Sequence, residues 1–136
     1  MKIDKNISWN VPEGVHQAKI ADARIKKGKS GEDELRMIFE ITSLVHPTKR
    51  YQAQKIYKNQ ETHTLASDLE ALLDKGLERV INLAGEIIPE ALNVLHGVRV
   101  DLEITHFQNR RYDAPFCNVT KVMPAGTLIE VIGDAE

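Results

Sequence analysis

Two alternating apolar–polar segments joined by a short basic turn constrain the fold of this chain more than any other feature. Residues 15–25 and 32–42 alternate, and the turn between them reads Lys-Lys-Gly-Lys-Ser-Gly. A period of two is typical of half-buried strands, and a connection rich in Gly, Ser and Lys favours a hairpin over a helix. The pair therefore predicts the opening of a small antiparallel barrel with a basic first loop.

The apolar set of the first strand changes parity part-way along. Ala18 and Ile20 fall on even positions, whereas Ala21, Ala23 and Ile25 fall on odd ones. Because a one-residue shift moves side chains to the opposite face, a bulge or sharp bend is expected near Ile20 and Ala21. The second strand is regular, and four of its residues are predicted to point inward: Leu35, Met37, Phe39 and Ile41.

The periodicity changes after the third strand. Residues 51–57 form a strand without a clean apolar face, and then leucines recur with the helical period of 3.6 at positions 65, 69, 72 and 73. Shorter stripes over 77–84 and 89–95 predict two further helical pieces. Strands return at 98–105 and 115–122. The chain is therefore predicted to be mainly β, with three strands, a helical insert over about 62–96, and two more strands.

This order matches a five-stranded Greek-key barrel of the OB-fold type with a helical insertion between strands 3 and 4. The 136 residues are expected to form a single domain, with a short C-terminal extension over 124–136. With a single cysteine and no long apolar run, the sequence predicts no internal disulfide and no membrane span. It predicts a cytoplasmic location.

Short matches along residues 9–123 resemble the OB-fold single-stranded DNA-binding proteins of phage replication modules. The matching segments are 12–14 before the first strand, 28–31 before the second, 95–97 before the fourth, and 109–112 before the fifth. The resemblance implies single-stranded DNA as the ligand and replication or recombination proteins as further partners. It also implies the host cell cytoplasm as the location if a phage encodes the chain.

The distribution of charge is uneven although the formal net charge is only −2. Residues 12–60 carry ten Lys and Arg against six Asp and Glu, whereas residues 61–95 carry two against seven. Such asymmetry permits a local cationic groove on an acidic protein. The alternative is that the helical insert simply carries acids on its solvated face.

Binding of single strands without sequence preference requires cations along a groove and flat side chains on which bases stack. In an OB-fold the second and third strands, with the loops after strands one and four, line that groove. Cations and tyrosines on those elements are the predicted contacts: Lys26, Lys27, Lys29, Lys49, Arg50, Tyr51, Lys55, Tyr57, Lys58, Arg110, Arg111 and Tyr112. Solvated turn lysines, and tyrosines packed at the barrel edge, are the alternatives. Trp9 is expected to plug the barrel end.

The sequence gives little support for catalysis. The five histidines and Cys117 lack the spacing of a zinc site, and no phosphate loop, dinucleotide fingerprint or nucleophile elbow is present. We therefore expect a binding protein without a cofactor or metal. The rival hypothesis is a protein-interaction or oligomerisation module on an OB-like scaffold. That module could dock a partner or a second copy through the leucine stripe (Leu65 to Leu73) or through residues 127–132.

Overall fold

The computed structural model describes residues 5–74, 76–107 and 116–127. Within them six strands form one sheet in the order β1-β4-β3-β2-β5-β6, with β1 parallel to β4 and every other pair antiparallel. The strands are β1 Asn6–Ser8, β2 Gly14–Lys27, β3 Asp33–Ile41, β4 Lys49–Tyr57, β5 Arg99–Phe107 and β6 Phe116–Pro124. The mainly-β prediction is confirmed, but the predicted count of five strands omits β1.

The long strand β2 serves two neighbours. Its first part, Gly14 to Lys19, pairs with β5, and its second part, Ala18 to Lys27, pairs with β3. The register with β3 shifts between Ile20 and Asp22, which confirms the predicted bulge. Because of this extra residue, the buried set of β2 passes from even positions to odd ones, as expected for a bulged strand.

The core lies on one face of the sheet. The predicted inward residues of β3, namely Leu35, Met37, Phe39 and Ile41, are all buried. Burial of a large apolar side chain contributes about 1.5–3 kcal/mol, so this one strand supplies a substantial part of the stabilisation. Val100, Leu102 and Ile104 of β5 join the same core.

The connection between β4 and β5 contains one α-helix in the described residues, α1, Thr62–Leu72. Its leucine stripe faces the core, with Leu65, Leu69 and Leu73 buried and Leu72 partly so. Two 3-10 segments follow, Leu77–Arg79 and Pro89–Leu95.

The prediction of a helical piece over 77–84 holds only for the 3-10 turn Leu77–Arg79 and is wrong for the rest. Residues 81–87 instead form a tight loop closed by a bridge between Ile81 and Ile87. The Asn82 side chain accounts for the difference, because its Oδ1 accepts the N–H groups of Ala84 (2.9 Å) and Glu86 (3.0 Å). Asn side chains that bond nearby backbone amides compete with helix formation in this way.

The segment before β2 is anchored by Val11 rather than by Trp9. Val11 is fully buried, its N–H donates to Cys117 Sγ (3.3 Å), and its carbonyl oxygen lies 2.6 Å from His106 Nε2. Trp9 is 43% exposed, so the expectation that it plugs the barrel end is wrong.

Candidate nucleic-acid interface

The turn between β2 and β3 presents three lysines to solvent. Lys26, Lys27 and Lys29 are all exposed, and two backbone hydrogen bonds shape the turn, from Gly28 N–H to the Glu32 carbonyl (2.8 Å) and from Gly31 N–H to the Gly28 carbonyl (3.0 Å). Gly31 has a φ of +84°, a conformation that glycine adopts without steric cost. The turn therefore holds its cations on a defined backbone.

These lysines meet Lys58 in one open groove of about 600 Å³. Asn59 and Gln60 also line it, as do three acids of the turn and β3, Glu32, Asp33 and Glu34. Lys27 Nζ is paired with Asp33 Oδ1 at 2.7 Å. Lys26, Lys29 and Lys58 form no ion pair with any other residue that the structure describes. Three of the predicted cations are therefore available to a ligand in this groove.

A row of arginines continues the groove along the outer face of the sheet, and sequence reasoning missed it as a binding feature. Arg24 of β2 and Arg36 of β3 lie directly opposite each other in the sheet. Two residues further along β2, Lys26 lies opposite Glu34 in the same register. The Arg24 side chain is 69% exposed and bonds Asp22 (2.7 Å), while Arg36 Nε donates to Gln54 Oε1 (2.8 Å). Like charges directly opposite in a sheet are destabilising, so a bound anion would relieve this pair.

One sequence signal could have identified the arginine row. Beyond the bulge, the apolar residues Ala23 and Ile25 occupy odd positions and point inward. Arg24 and Lys26 occupy the even positions, so they point toward solvent. The predicted regular alternation of β3 places Arg36 outward as well. What the sequence does not give is the register that sets the two arginines side by side.

Lys49 and Arg50 lie apart from the groove. They are exposed at the start of β4, next to Asn6 and Ile7 of the parallel strand β1. At about 3.3 Å per residue, roughly 25 Å of strand separates Arg50 from Lys58. The second predicted cluster is therefore divided between the two ends of β4.

Lys55 and Tyr57 are engaged inside the protein. Lys55 Nζ donates to the Val119 carbonyl of β6 at 3.1 Å and lies 5.3 Å from the centroid of the Tyr57 ring. Tyr57 is 1% exposed, and its hydroxyl donates to Asp68 Oδ2 at 2.7 Å. Burial, reinforced by the Asp68 carboxylate, raises the pKa of Tyr57 well above its usual range. Of the two roles that the sequence leaves open for Tyr57, base stacking and packing, the structure has the ring packed, with no exposed face for a base.

Two of the remaining aromatic residues, Tyr51 and Trp9, lie in or next to the pairing of β1 with β4. Tyr51 is half-buried on β4, and Trp9 is an exposed aromatic close by, since Ser8 pairs with Tyr51. Arg110, Arg111 and Tyr112 lie outside the described residues. Trp9 is thus an exposed aromatic, whereas the sequence predicts it to be packed over the barrel end.

No protein-family model matches the chain, and no curated protein shows significant similarity to it. Among the described residues, none of the helices has the length and apolar content needed to cross a membrane. Within the same ranges, no three His, Cys, Asp or Glu side chains are grouped so that they could share a metal ion.

Proposed function

We propose that this chain is an OB-type barrel that binds single-stranded DNA, with little dependence on sequence, in DNA replication or recombination. The observation that carries the proposal is the meeting of the β2–β3 turn with Lys58 in one groove, continued by Arg24 and Arg36 on the same outer face. Cations arranged in this way follow a phosphate backbone. The exposed Trp9 lies near the start of β4, so it offers a stacking surface to a strand that extends beyond the groove.

The strand order supports the barrel type. Strand β2 lies between β3 and β5, β4 follows β3, and β6 follows β5. The Lys55–Val119 hydrogen bond brings the ends of this series, β4 and β6, within contact. An OB-fold has the same strand neighbours when β2 to β6 are counted as its strands one to five. Its ligand face then corresponds to the face that carries Arg36, Gln54 and Lys58 in this chain.

The rival hypothesis of a partner-docking module loses one of its surfaces. Leu65, Leu69 and Leu73 are buried under α1, so a partner could reach this stripe only after the core opens. Of the second surface, residues 127–132, only Thr127 lies in the described part of the chain.

Fluorescence anisotropy with a labelled oligo-dT of 30 nucleotides at two salt concentrations tests the proposal, with the matching duplex as competitor. Tight, salt-sensitive binding that duplex does not displace is the expected result. Absence of binding at low salt would contradict the proposal and leave partner docking as the working hypothesis.

The matched variants are Lys29→Ala/Lys58→Ala and Lys121→Ala. Lysines 29 and 58 line the groove, whereas Lys121 lies on β6, where its Nζ is 3.8 Å from Glu103. The double variant is expected to reduce the salt slope by about 1.4, and the β6 variant to leave it unchanged. An equal effect per charge removed in the two variants would indicate attraction to overall charge rather than to this groove.

A further inference from the structure

A second cavity adjoins the cationic groove and has a different chemistry. It encloses about 390 Å³ between α1, the ends of β2 to β4, and the 81–87 loop. Its apolar wall is formed by Ile25, Leu65, Leu69, Leu77, Ile81 and Ile87. Polar and charged residues, among them Asp33, Glu34, Lys58 and Glu86, complete the lining. A cavity of this size with a mostly apolar wall and polar groups at one side has the character of a small-ligand site.

The cavity and the groove share a wall. Asp33, Glu34, Lys58 and Asn59 line both spaces. A ligand in the cavity would therefore lie directly beside the groove cations, with Lys58 at the boundary. An uncharged, flat group attached to a chain of phosphates fits this combination, because phosphates prefer the lysines and an aromatic ring prefers the apolar wall.

The polar groups at the boundary favour hydrogen-bond donors on that ring. The Glu34 side chain is partly buried, and its carboxyl group packs against Gly28 of the β2–β3 turn, at the boundary of the two spaces. No ion-pair partner of this carboxylate lies within residues 5–74, 76–107 and 116–127. An ionised carboxylate accepts hydrogen bonds and donates none, and in nucleic-acid recognition it pairs with the exocyclic amino group of cytosine. By contrast, the Asp33 carboxylate is already paired with Lys27.

The far wall of the cavity is preformed. In the 81–87 loop, Asn82 Oδ1 accepts two backbone N–H groups, and Asn82 N–H donates to the Glu86 carbonyl at 2.9 Å. These bonds hold Ile81 and Ile87 side by side on the cavity wall. A ligand would thus enter an existing space rather than order the loop.

We infer that this cavity receives one nucleobase of the bound strand, turned out of the stack, and that Glu34 gives the site a preference for bases with an exocyclic amino group. The inference depends on the proposed function, since the phosphates in the groove deliver the base. It adds one selective position to binding that is otherwise independent of sequence. A base in a single strand is already unpaired, so turning it into a pocket costs little.

The test compares anisotropy titrations of labelled oligo-dC and oligo-dT, each of 30 nucleotides, at one salt concentration. We expect the wild-type chain to prefer oligo-dC about tenfold, as for one hydrogen bond to a charged acceptor. The Glu34→Gln variant keeps the shape but loses the charge, and should bring the two affinities to within about twofold of each other. Its affinity for oligo-dT should not fall, because a negative charge has been removed beside the phosphates.

A second variant pair tests the space itself. Ala66→Phe places a ring into the cavity from α1, while Ala71→Phe adds the same ring at an exposed position of the same helix. The first should abolish the preference for oligo-dC and the second should retain it, with circular dichroism and thermal melting confirming that both variants fold. If Ala66→Phe fails to fold, the Glu34→Gln comparison still decides.

The outcomes separate this inference from the proposed function. Salt-sensitive binding of both oligonucleotides with a ratio near one overturns the base pocket and leaves the proposed function standing. A preference that survives Glu34→Gln overturns the role of the carboxylate. Failure of both oligonucleotides to bind at low salt overturns the proposed function and the pocket together.

Discussion

The Lys55 ammonium donates a hydrogen bond across 3.1 Å to the carbonyl oxygen of Val119. The two residues belong to β4 and β6, which three other strands separate in the sheet. The contact therefore spans the gap of a curled sheet. It also gives an internal partner to a charge that the sequence predicts at the interface with DNA.

Replacing Lys55 with Met should lower the free energy of unfolding by about 1.5–3 kcal/mol, because the aliphatic stem remains and the charged hydrogen bond is lost. Urea unfolding measures the change, with Lys121→Met as the matched control on β6. A DNA affinity that falls while stability stays unchanged would instead assign Lys55 to the interface.

The Tyr57→Phe substitution should cost about 1.5–3 kcal/mol of stability, as expected for a hydrogen bond to a carboxylate, and leave the affinity for oligo-dT unchanged. The ring stays buried and only the hydrogen bond to Asp68 is lost. Chemical denaturation and anisotropy on the same preparation measure both quantities. A large loss of affinity with intact stability would restore the stacking hypothesis.

The raised pKa of Tyr57 predicts a loss of stability at alkaline pH. Above the ordinary value of 10.0, the unfolded chain releases the phenolic proton while the folded chain retains it. The stabilisation is therefore complete below about pH 10 and declines above it, by up to about 1.4 kcal/mol per pH unit. The difference between wild type and Tyr57→Phe in urea unfolding from pH 8 to 11 isolates this effect from other groups. A difference independent of pH would contradict it.

Replacing Arg24 with Gln should raise the free energy of unfolding slightly, or leave it unchanged, while weakening DNA binding. Removing one of two like charges that face each other relieves about 0.2–1 kcal/mol, less what the bond to Asp22 contributes. Thermal melts and anisotropy measure the two effects. A parallel loss of stability and affinity would indicate a structural role for Arg24.

Replacing Arg110 and Arg111 together with Ala should reduce the salt slope of DNA binding by about one to two. This prediction depends on the sequence and on the OB-type arrangement, in which the loop after the fourth strand contacts ligand. Titrations at four salt concentrations measure the slope. An unchanged slope removes this loop from the site.

The parts of the fold that are local could be predicted from the sequence. The β3 alternation, the bulge in β2 and the leucine stripe of α1 each follow from spacing within a short segment. Strand β1 could not be predicted, because three residues carry no period and its partner, β4, begins 43 residues after β1 does. The Asn82 loop could not be predicted either, since it depends on one side chain bonding two backbone amides.

In the candidate site, too, local features could be predicted from the sequence, whereas features that depend on residues distant in the sequence could not. The basic β2–β3 turn is evident from its composition, and it does line the groove. The fate of Tyr57 depends on Asp68, eleven residues further along the chain, whose position on α1 no alternation pattern reveals. The facing arginines depend on the β2–β3 register, which the bulge shifts by one residue.

The bulge in β2 links two properties of the strand, namely which of its residues enter the core and which of its cations face solvent. Before it, even-numbered residues of β2 are buried; after it, the even-numbered Arg24 and Lys26 face solvent while Ala23 enters the core. If β2 kept Ala21 but paired without the bulge, the alternation that runs to Ile20 would continue, and it would direct both cations inward and Ala23 outward. The bulge thus determines at once that Ala23 enters the core and that the two cations of the proposed interface face solvent.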